Sequence, residues 1–524
     1  MSDLLPIQRV RSWYNAVLAG SVAGYCALLT ITIPWHAPWA DEAQAWQIAR
    51  TNSFPTIFRT AIHYEISPGL WHALLWLLVR LHLPYAGLPW VCACIALLGV
   101  CLLLFQSPLP FVFRVLLPFT YFFSFQYSVV ARSYVLFAPL LFLLATIWPK
   151  RNQRPLSVAV LLGLLANVCA HGFVVALGLF VVLLVEQYRH HRRSAHEANP
   201  APHPSAQTRI LSALLLSASL AFALWCMIPP RDANWANGAA IAFHRPALAA
   251  LLWLSVAHNP FRSVPLAIGI PLQILRGLAH VMSEGVSSFK TLACIAWALL
   301  FWRWWREKRL YYTAPVLLLA GLGVFSRFEI YHAGLVWILF LFLWWVTWPV
   351  NRHDPLQIQI TLMALVFLFI VSQLVWTARV VRIDRTQAYS PDRAAAPILR
   401  HYLAEGMKVD IAVPRQPHHD AGEYYAVGLE PYFEHEPFHN APARYWVWKP
   451  HPGMYDRYLR DTQERSVAVM METLKGKFLE PEDQQRLISL GYRQDAAVCG
   501  RVTYPIRHAD DLCHVFYVPT QPDK

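Results

Sequence analysis

The chain alternates long apolar runs with short polar stretches. Runs lie at Trp13–Pro34, Leu88–Phe105, Leu109–Tyr127, Ser133–Trp148, Pro155–Ala170 and Phe173–Val185. Others follow at Ile210–Ile228, Leu292–Trp305, Tyr312–Phe325, Leu335–Trp348 and Ile358–Trp376. Several approach the ~20 residues that a helix needs to cross the hydrocarbon. The pattern predicts a polytopic α-helical membrane protein. The run Leu70–Leu83 is shorter and carries Arg80 and His82. At ~1.5 Å per residue it hardly spans a ~30 Å core. We expect it to lie in the outer leaflet, which leaves eleven crossings.

The pattern changes near residue 381. Ala394–Leu403 reads as a helix. Val409–Val413, Tyr445–Trp448 and His514–Val518 have the β-branched or aromatic content of strands. We therefore expect a membrane domain over 1–380 and a small α/β domain over 381–524. Two long polar loops interrupt the membrane domain, at 36–69 and 229–288.

Composition strengthens this division. Charged residues make up only 14% of the 524 residues and hydrophobic ones 56%, whereas a soluble domain carries about 25% charged. The 22 Trp and 22 Tyr suit two interfacial belts. The net charge of +13 does not point to nucleic acid, because much of it sits in short clusters between apolar runs. Lys150–Arg154, Arg189–Arg193, Arg306–Arg309 and Arg352 are separated by even numbers of runs. The positive-inside bias lets all four be cytoplasmic. That places the N-terminus inside. It places the 36–69 loop, Arg132, His171, the 229–288 loop, 327–332 and the C-terminal domain outside. No small-residue cleavage site follows the first run, so Trp13–Pro34 reads as a retained helix. His190, His191 and His196 read as a solvated cytoplasmic tract. Seven of nine cysteines lie in or beside apolar runs, but Cys499 and Cys513 flank a hairpin-like stretch of the tail. Outside the cytoplasm these two can form a disulfide; otherwise they are two reduced thiols.

Candidate chemistry collects on the expected outer face. Asp41 and Glu42 open the first loop, and Glu65 closes it within His63-Tyr64-Glu65. Charge beside a membrane is costly unless solvated or used. The bland alternative is an amphipathic helix with two acids in its first turn, favoured by its dipole. Arg132 sits between two apolar runs, either snorkelling to headgroups or holding an anion. Arg327, Glu329 and His332 share a turn between two runs, either as a local ion pair or as part of the same site. A carboxylate can take a proton from a hydroxyl, and arginines can hold a departing phosphate. One carboxylate as base predicts a single inverting displacement; a second as nucleophile would give retention.

The order Asp41-Glu42, then Tyr64-Glu65-Ile66-Ser67-Pro68-Gly69-Leu70-Trp71, then Ser128–Leu136 (SVVARSYVL) resembles the membrane glycosyltransferases of the GT-C fold. The nearest groups are the protein O-mannosyltransferases and the aminoarabinose transferases of lipid A. The resemblance covers residues 10–190 at motif level and the remainder by architecture. The usual His-Pro-Pro is here Ile66-Ser67-Pro68, and the tail is not a MIR-type domain. The resemblance implies about 11–13 transmembrane helices in a bacterial inner membrane, with a periplasmic C-terminal domain. It implies sugar transfer from a polyprenyl-phosphate donor to an extracytoplasmic lipid, glycan or protein hydroxyl. Asp41 would be the base, with Glu42 and Glu65 positioning it or helping to bind a metal or the sugar. Arg132 and Arg327 would hold the donor phosphate. His63, Tyr64, Tyr134, His171 and His332 would contact substrate. Some members use a divalent metal (Mg or Mn) and others none, which leaves the cofactor open. The competing functions are a flippase for lipid-linked glycans, which would predict paired interrupted helices and a repeat relating two halves, and a non-catalytic scaffold.

Overall fold

The computed structural model describes residues 4–194, 205–233, 266–325, 328–348, 356–412, 425–441, 444–448, 467–474, 485, 487–505 and 510–520. Arg327, Arg352, His196 and residues 234–265 of the second long loop lie outside this set. The chain is mostly helical with a small C-terminal sheet. Seven helices among the described residues are long and apolar enough to cross a membrane. The protein is thus a multi-pass membrane protein by helix length and composition.

The helix Ile330–Thr347 forms the centre of the bundle. Its sequence is apolar on every side, and every residue from Ala333 to Trp345 is buried. A helix without a polar face must be surrounded by other elements. Close packing on it requires small residues at the crossings. A Cβ on Gly334 would meet the Phe122 ring at 2.2 Å, and one on Gly285 would meet the Ala333 carbonyl oxygen at 1.9 Å.

Two expectations about the bundle need correction. The run Leu109–Tyr127 does not form one helix. It breaks into Phe111–Leu116, a 3-10 turn at Leu117–Phe119 and a π turn at Phe122–Gln126. Pro118 removes a backbone donor, and Thr120 is extended at φ −71°, ψ 154°. Residues 128–131 then run as buried non-helical backbone. Such backbone is tolerated at membrane depth only where protein surrounds it. The last apolar helix is also longer than expected. It spans Leu356–Thr386 and runs past the expected boundary at 380. By contrast, the helix Leu70–Arg80 has 11 residues, or roughly 16 Å. It buries Trp71, His72 and Leu75 and packs on Ala40–Thr51, the helix of the first loop.

Three polar turns meet at one end of the bundle, around Glu186. Arg151 Nε donates to it at 2.6 Å and Tyr312 Oη at 2.9 Å, while Arg189 donates to the Lys308 carbonyl. The stretch 188–209 is helical at both ends, to Ser194 and from Ala206, rather than a loop throughout. The first long loop and the C-terminal domain share the other end.

The C-terminal domain packs the helix Asp392–Ala404 on a four-stranded sheet. The strands are β1 (Lys408–Ala412), β2 (Val467–Leu474), β3 (Tyr492–Val502) and β4 (Asp510–Pro519), in the order β1-β2-β4-β3. β1 and β2 are parallel and the other pairs antiparallel. Ala395, Ala396 and Leu399 of the helix meet Val409, Ile411, Phe516 and Val518 of the sheet. Ala40, from the first loop, is buried in the same cluster. Tyr445–Trp448 is extended but joins no strand. The Trp446 backbone pairs with Gln44 of the first loop instead.

Cys499 and Cys513 face each other in the β3–β4 register and are disulfide-bonded, 14 residues apart. A closed loop of that length removes about 3 kcal/mol of chain entropy from the unfolded state. The expected outcome for Cys499→Ala/Cys513→Ala is a tail that unfolds first, read as earlier proteolysis of residues 387–524 on heating. Unreduced protein should also lose two alkylatable thiols relative to reduced protein, by intact mass.

Candidate functional site

The site is built from the first loop, the non-helical 128–132 segment and the start of the central helix. The loop begins with the helix Ala40–Thr51. Its Trp39 N–H donates to Glu42 at 3.0 Å, which closes the first turn. Consecutive residues on a helix point about 100° apart. Asp41 and Glu42 therefore cannot serve the same neighbour, and here they diverge completely.

Glu42 turns inward and is fully buried. Its Oε1 accepts the Ala131 N–H at 2.6 Å. Its Oε2 accepts from Trp39 and lies 3.2 Å from His36 Nε2. Both oxygens are committed, so Glu42 has no capacity left for substrate. Its contacts run to Trp39, Ala131 and His36 instead.

Asp41 turns outward and meets Arg132, with Arg132 Nη1 2.8 Å from Asp41 Oδ2. The Asp41 side chain is 37% exposed and that of Arg132 21%, so the pair sits at an open mouth. Arg132 lies over two rings, with Cζ 5.1 Å from the Tyr134 centroid and 4.6 Å from that of Tyr331. Tyr331 is fixed in turn, because Tyr127 Oη donates to its carbonyl at 2.6 Å. Burial opposes the charge of Arg132, but Asp41 and the surrounding phenols outweigh it and hold its pKa above the ordinary value.

His332 and His171 complete this wall. Their rings are 4.3 Å apart, and His332 lies 5.8 Å from Tyr134 and 4.4 Å from Tyr331. His332 occupies the first turn of the central helix, not a connecting turn. Its Nδ1 accepts the Glu329 N–H at 3.2 Å. Among the described residues, the buried His171 Nε2 has no hydrogen-bond partner.

Glu65 stands nearby, close enough to Asp41 and Arg132 for their charges to act on it. Gln44 Nε2 donates to its Oε1 at 2.8 Å. The same amide clips the tail, since Gln44 Nε2 donates to the Trp446 carbonyl at 2.7 Å and the Trp446 N–H donates to Gln44 Oε1 at 2.8 Å. Trp448 also bonds Glu65. Burial raises the Glu65 carboxyl most and Asp41 raises it further, while Gln44, Trp448 and Arg132 lower it. The outcome is about 7.

His63 and Tyr64 face elsewhere. His63 Nδ1 lies 3.0 Å from the Ile228 carbonyl oxygen, and Tyr64 Oη is 3.0 Å from both oxygens of Asp232. They tie the first loop to the end of the helix Ala206–Cys226. Sequence reasoning could not anticipate His36, Asp384 or the Gln44–Trp446 clip, which join residues 6 to 402 positions apart.

No family model, curated protein or solved structure matches the chain. The site's chemistry therefore has to be judged on its own geometry. Among the described residues, no three or more His, Cys, Asp or Glu side chains gather as a possible metal site. Glu42 cannot contribute with both oxygens engaged, so the acids at 41, 42 and 65 do not form a ligand set.

The sign of the Glu65 shift is checkable. A carboxyl raised from 4.5 to about 7 favours the folded state at low pH. That contribution is lost as pH rises from about 4.5 to 7. Infrared difference spectra between pH 6 and pH 8 should show a protonated-carboxyl band converting to carboxylate. The band should be missing in Glu65→Gln.

Proposed function

We propose that the protein is a membrane glycosyltransferase that moves a sugar from a polyprenyl-phosphate donor to an extracytoplasmic hydroxyl. The observation that carries this reading is the Asp41–Arg132 pair. It places one carboxylate and one guanidinium side by side, 2.8 Å apart at an open mouth. Inverting transfer with a good leaving group needs those two groups, and no strong general acid.

In the resting state Asp41 occupies the anion position of Arg132. A donor phosphate, with more charge and more acceptor oxygens, competes for the same guanidinium. Its arrival frees Asp41. The freed carboxylate can then take the acceptor proton. The acceptor oxygen attacks the anomeric carbon as the bond from that carbon to the phosphate oxygen breaks. The proton goes to Asp41, and the lipid phosphate leaves with its charge held by Arg132. Tyr134 and Tyr331 keep the guanidinium in place while it changes partner. His332 and His171 lie along the same wall, where they contact the donor. Glu65, clipped by Gln44, borders the acceptor side. On this reading the bundle belongs to the GT-C class with a periplasmic tail, in a bacterial inner membrane.

The test is transfer by purified protein in lipid, supplied with labelled polyprenyl-phosphate sugars and a native envelope extract. Asp41→Asn should lower kcat roughly 10²–10⁴-fold, the usual range for a lost general base, with its thermal unfolding unchanged. Arg132→Gln should raise KM for the donor as well as lowering kcat. Equal transfer by wild type and Asp41→Asn would remove Asp41 from the mechanism.

A further inference from the structure

Behind the open pair lies a second, closed charge cluster. His36 follows the first helix, and its side chain is fully buried. Nε2 lies 3.2 Å from Glu42 Oε2, and Nδ1 lies 3.5 Å from Asp384 Oδ2. The side chains of Glu42 and Asp384 are fully buried as well. Among the described residues, neither oxygen of Asp384 has another hydrogen-bond partner. A buried carboxylate without a partner is strongly disfavoured, and the cationic partner within reach of both acids is the imidazole. The other groups around His36 do not replace it. Tyr389 and Phe125 contribute rings at 4.8 and 5.8 Å. The Arg393 guanidinium is engaged by the His36 and Pro34 carbonyls.

Three elements meet here: the end of the first helix, the start of the site helix and the end of the last membrane helix. Their meeting point is also the reference for the open pair. Glu42 follows Asp41 in the chain, and it accepts the N–H of Ala131, which precedes Arg132. One carboxylate therefore sets both sides of the Asp41–Arg132 contact.

We propose that His36 and Asp384 are positioning residues, a buried cation and its counter-carboxylate, which hold Glu42 on the Ala131 N–H and so fix the spacing of Asp41 and Arg132. The role in transfer rests on the glycosyltransferase reading, but the placement of Arg132 does not.

Two measurements decide the placement without any activity. In protein labelled with ¹⁵N-histidine, His36 should remain doubly protonated at pH 8, where exposed imidazoles are neutral. It should become neutral in Glu42→Gln/Asp384→Asn. Labelling by phenylglyoxal, read by peptide mass spectrometry, should modify Arg132 at least 5-fold faster in His36→Gln than in wild type. Asp384→Asn provides the same comparison if His36→Gln does not fold. A neutral His36 at pH 8, or Arg132 labelling unchanged in a folded variant, overturns the proposal. The third measurement is transfer. His36→Gln should lower kcat roughly 10–100-fold in wild type and by less than about 2-fold in the Asp41→Asn background. A purely structural role would lower both equally and would overturn the positioning role. If wild type transfers no sugar, the glycosyltransferase reading fails, and the first two measurements still decide the positioning.

Discussion

Burying the Glu42 carboxylate constrains everything around it. An ionised carboxylate has about four acceptor sites, and leaving them unmet in a protein interior is costly. The chain meets them with the Trp39 N–H, the Ala131 N–H and the His36 ring. Each donor imposes a condition. Trp39 must stand at the start of a helix. Ala131 must have a backbone N–H that no helix has claimed. His36 must lie beside both, at the end of the first membrane helix. The non-helical backbone at 128–131 meets the same need. A continuous helix through 131 would have used that N–H internally.

The C-terminal domain is part of the same arrangement rather than an appendage. Ala40 sits in the tail's core, Arg393 reaches back to the Pro34 and His36 carbonyls, and Gln44 pairs with the Trp446 backbone in both directions. These contacts surround the first loop with protein. They also bear on the raised Glu65 carboxyl, where burial and the nearby Asp41 charge outweigh the hydrogen bonds from Gln44 and Trp448.

Much of this was legible in the sequence. The apolar runs gave the helices because a 3.6-residue turn buried on all sides has one composition. The charge pattern put Asp41 and Arg132 on one outer face, as base and phosphate holder, but not in direct contact with each other. What could not be read was direction. Asp41 and Glu42 are adjacent and chemically alike, and only the packed helix shows which turns outward. His63 and Tyr64 flank Glu65 in sequence, yet a short helix sends them toward Ile228 and Asp232. Tyr445–Trp448 has strand composition but pairs with a side-chain amide. Asp384 lies beyond the expected domain boundary at 380, because the last helix extends well past its apolar run. Partners hundreds of residues apart leave no local pattern.

The two acids at 41 and 42 also divide a physical conflict between them. A group that binds and releases ligands must tolerate partner exchange, whereas a group that fixes geometry must not. Glu42 is buried with every oxygen committed, so any exchange would leave a charge unpaired. Asp41 stands at an open mouth, where water can take over either partner. Arg132 belongs to both regimes. Its backbone follows the N–H that Glu42 holds, and its guanidinium lies across Tyr134 and Tyr331, whose faces attract the cation without occupying its donors. The donors remain free to turn from Asp41 to an incoming anion while the carbon they share stays in place. In the proposed reaction, that separation lets a single carboxylate serve first as counter-ion and then as base.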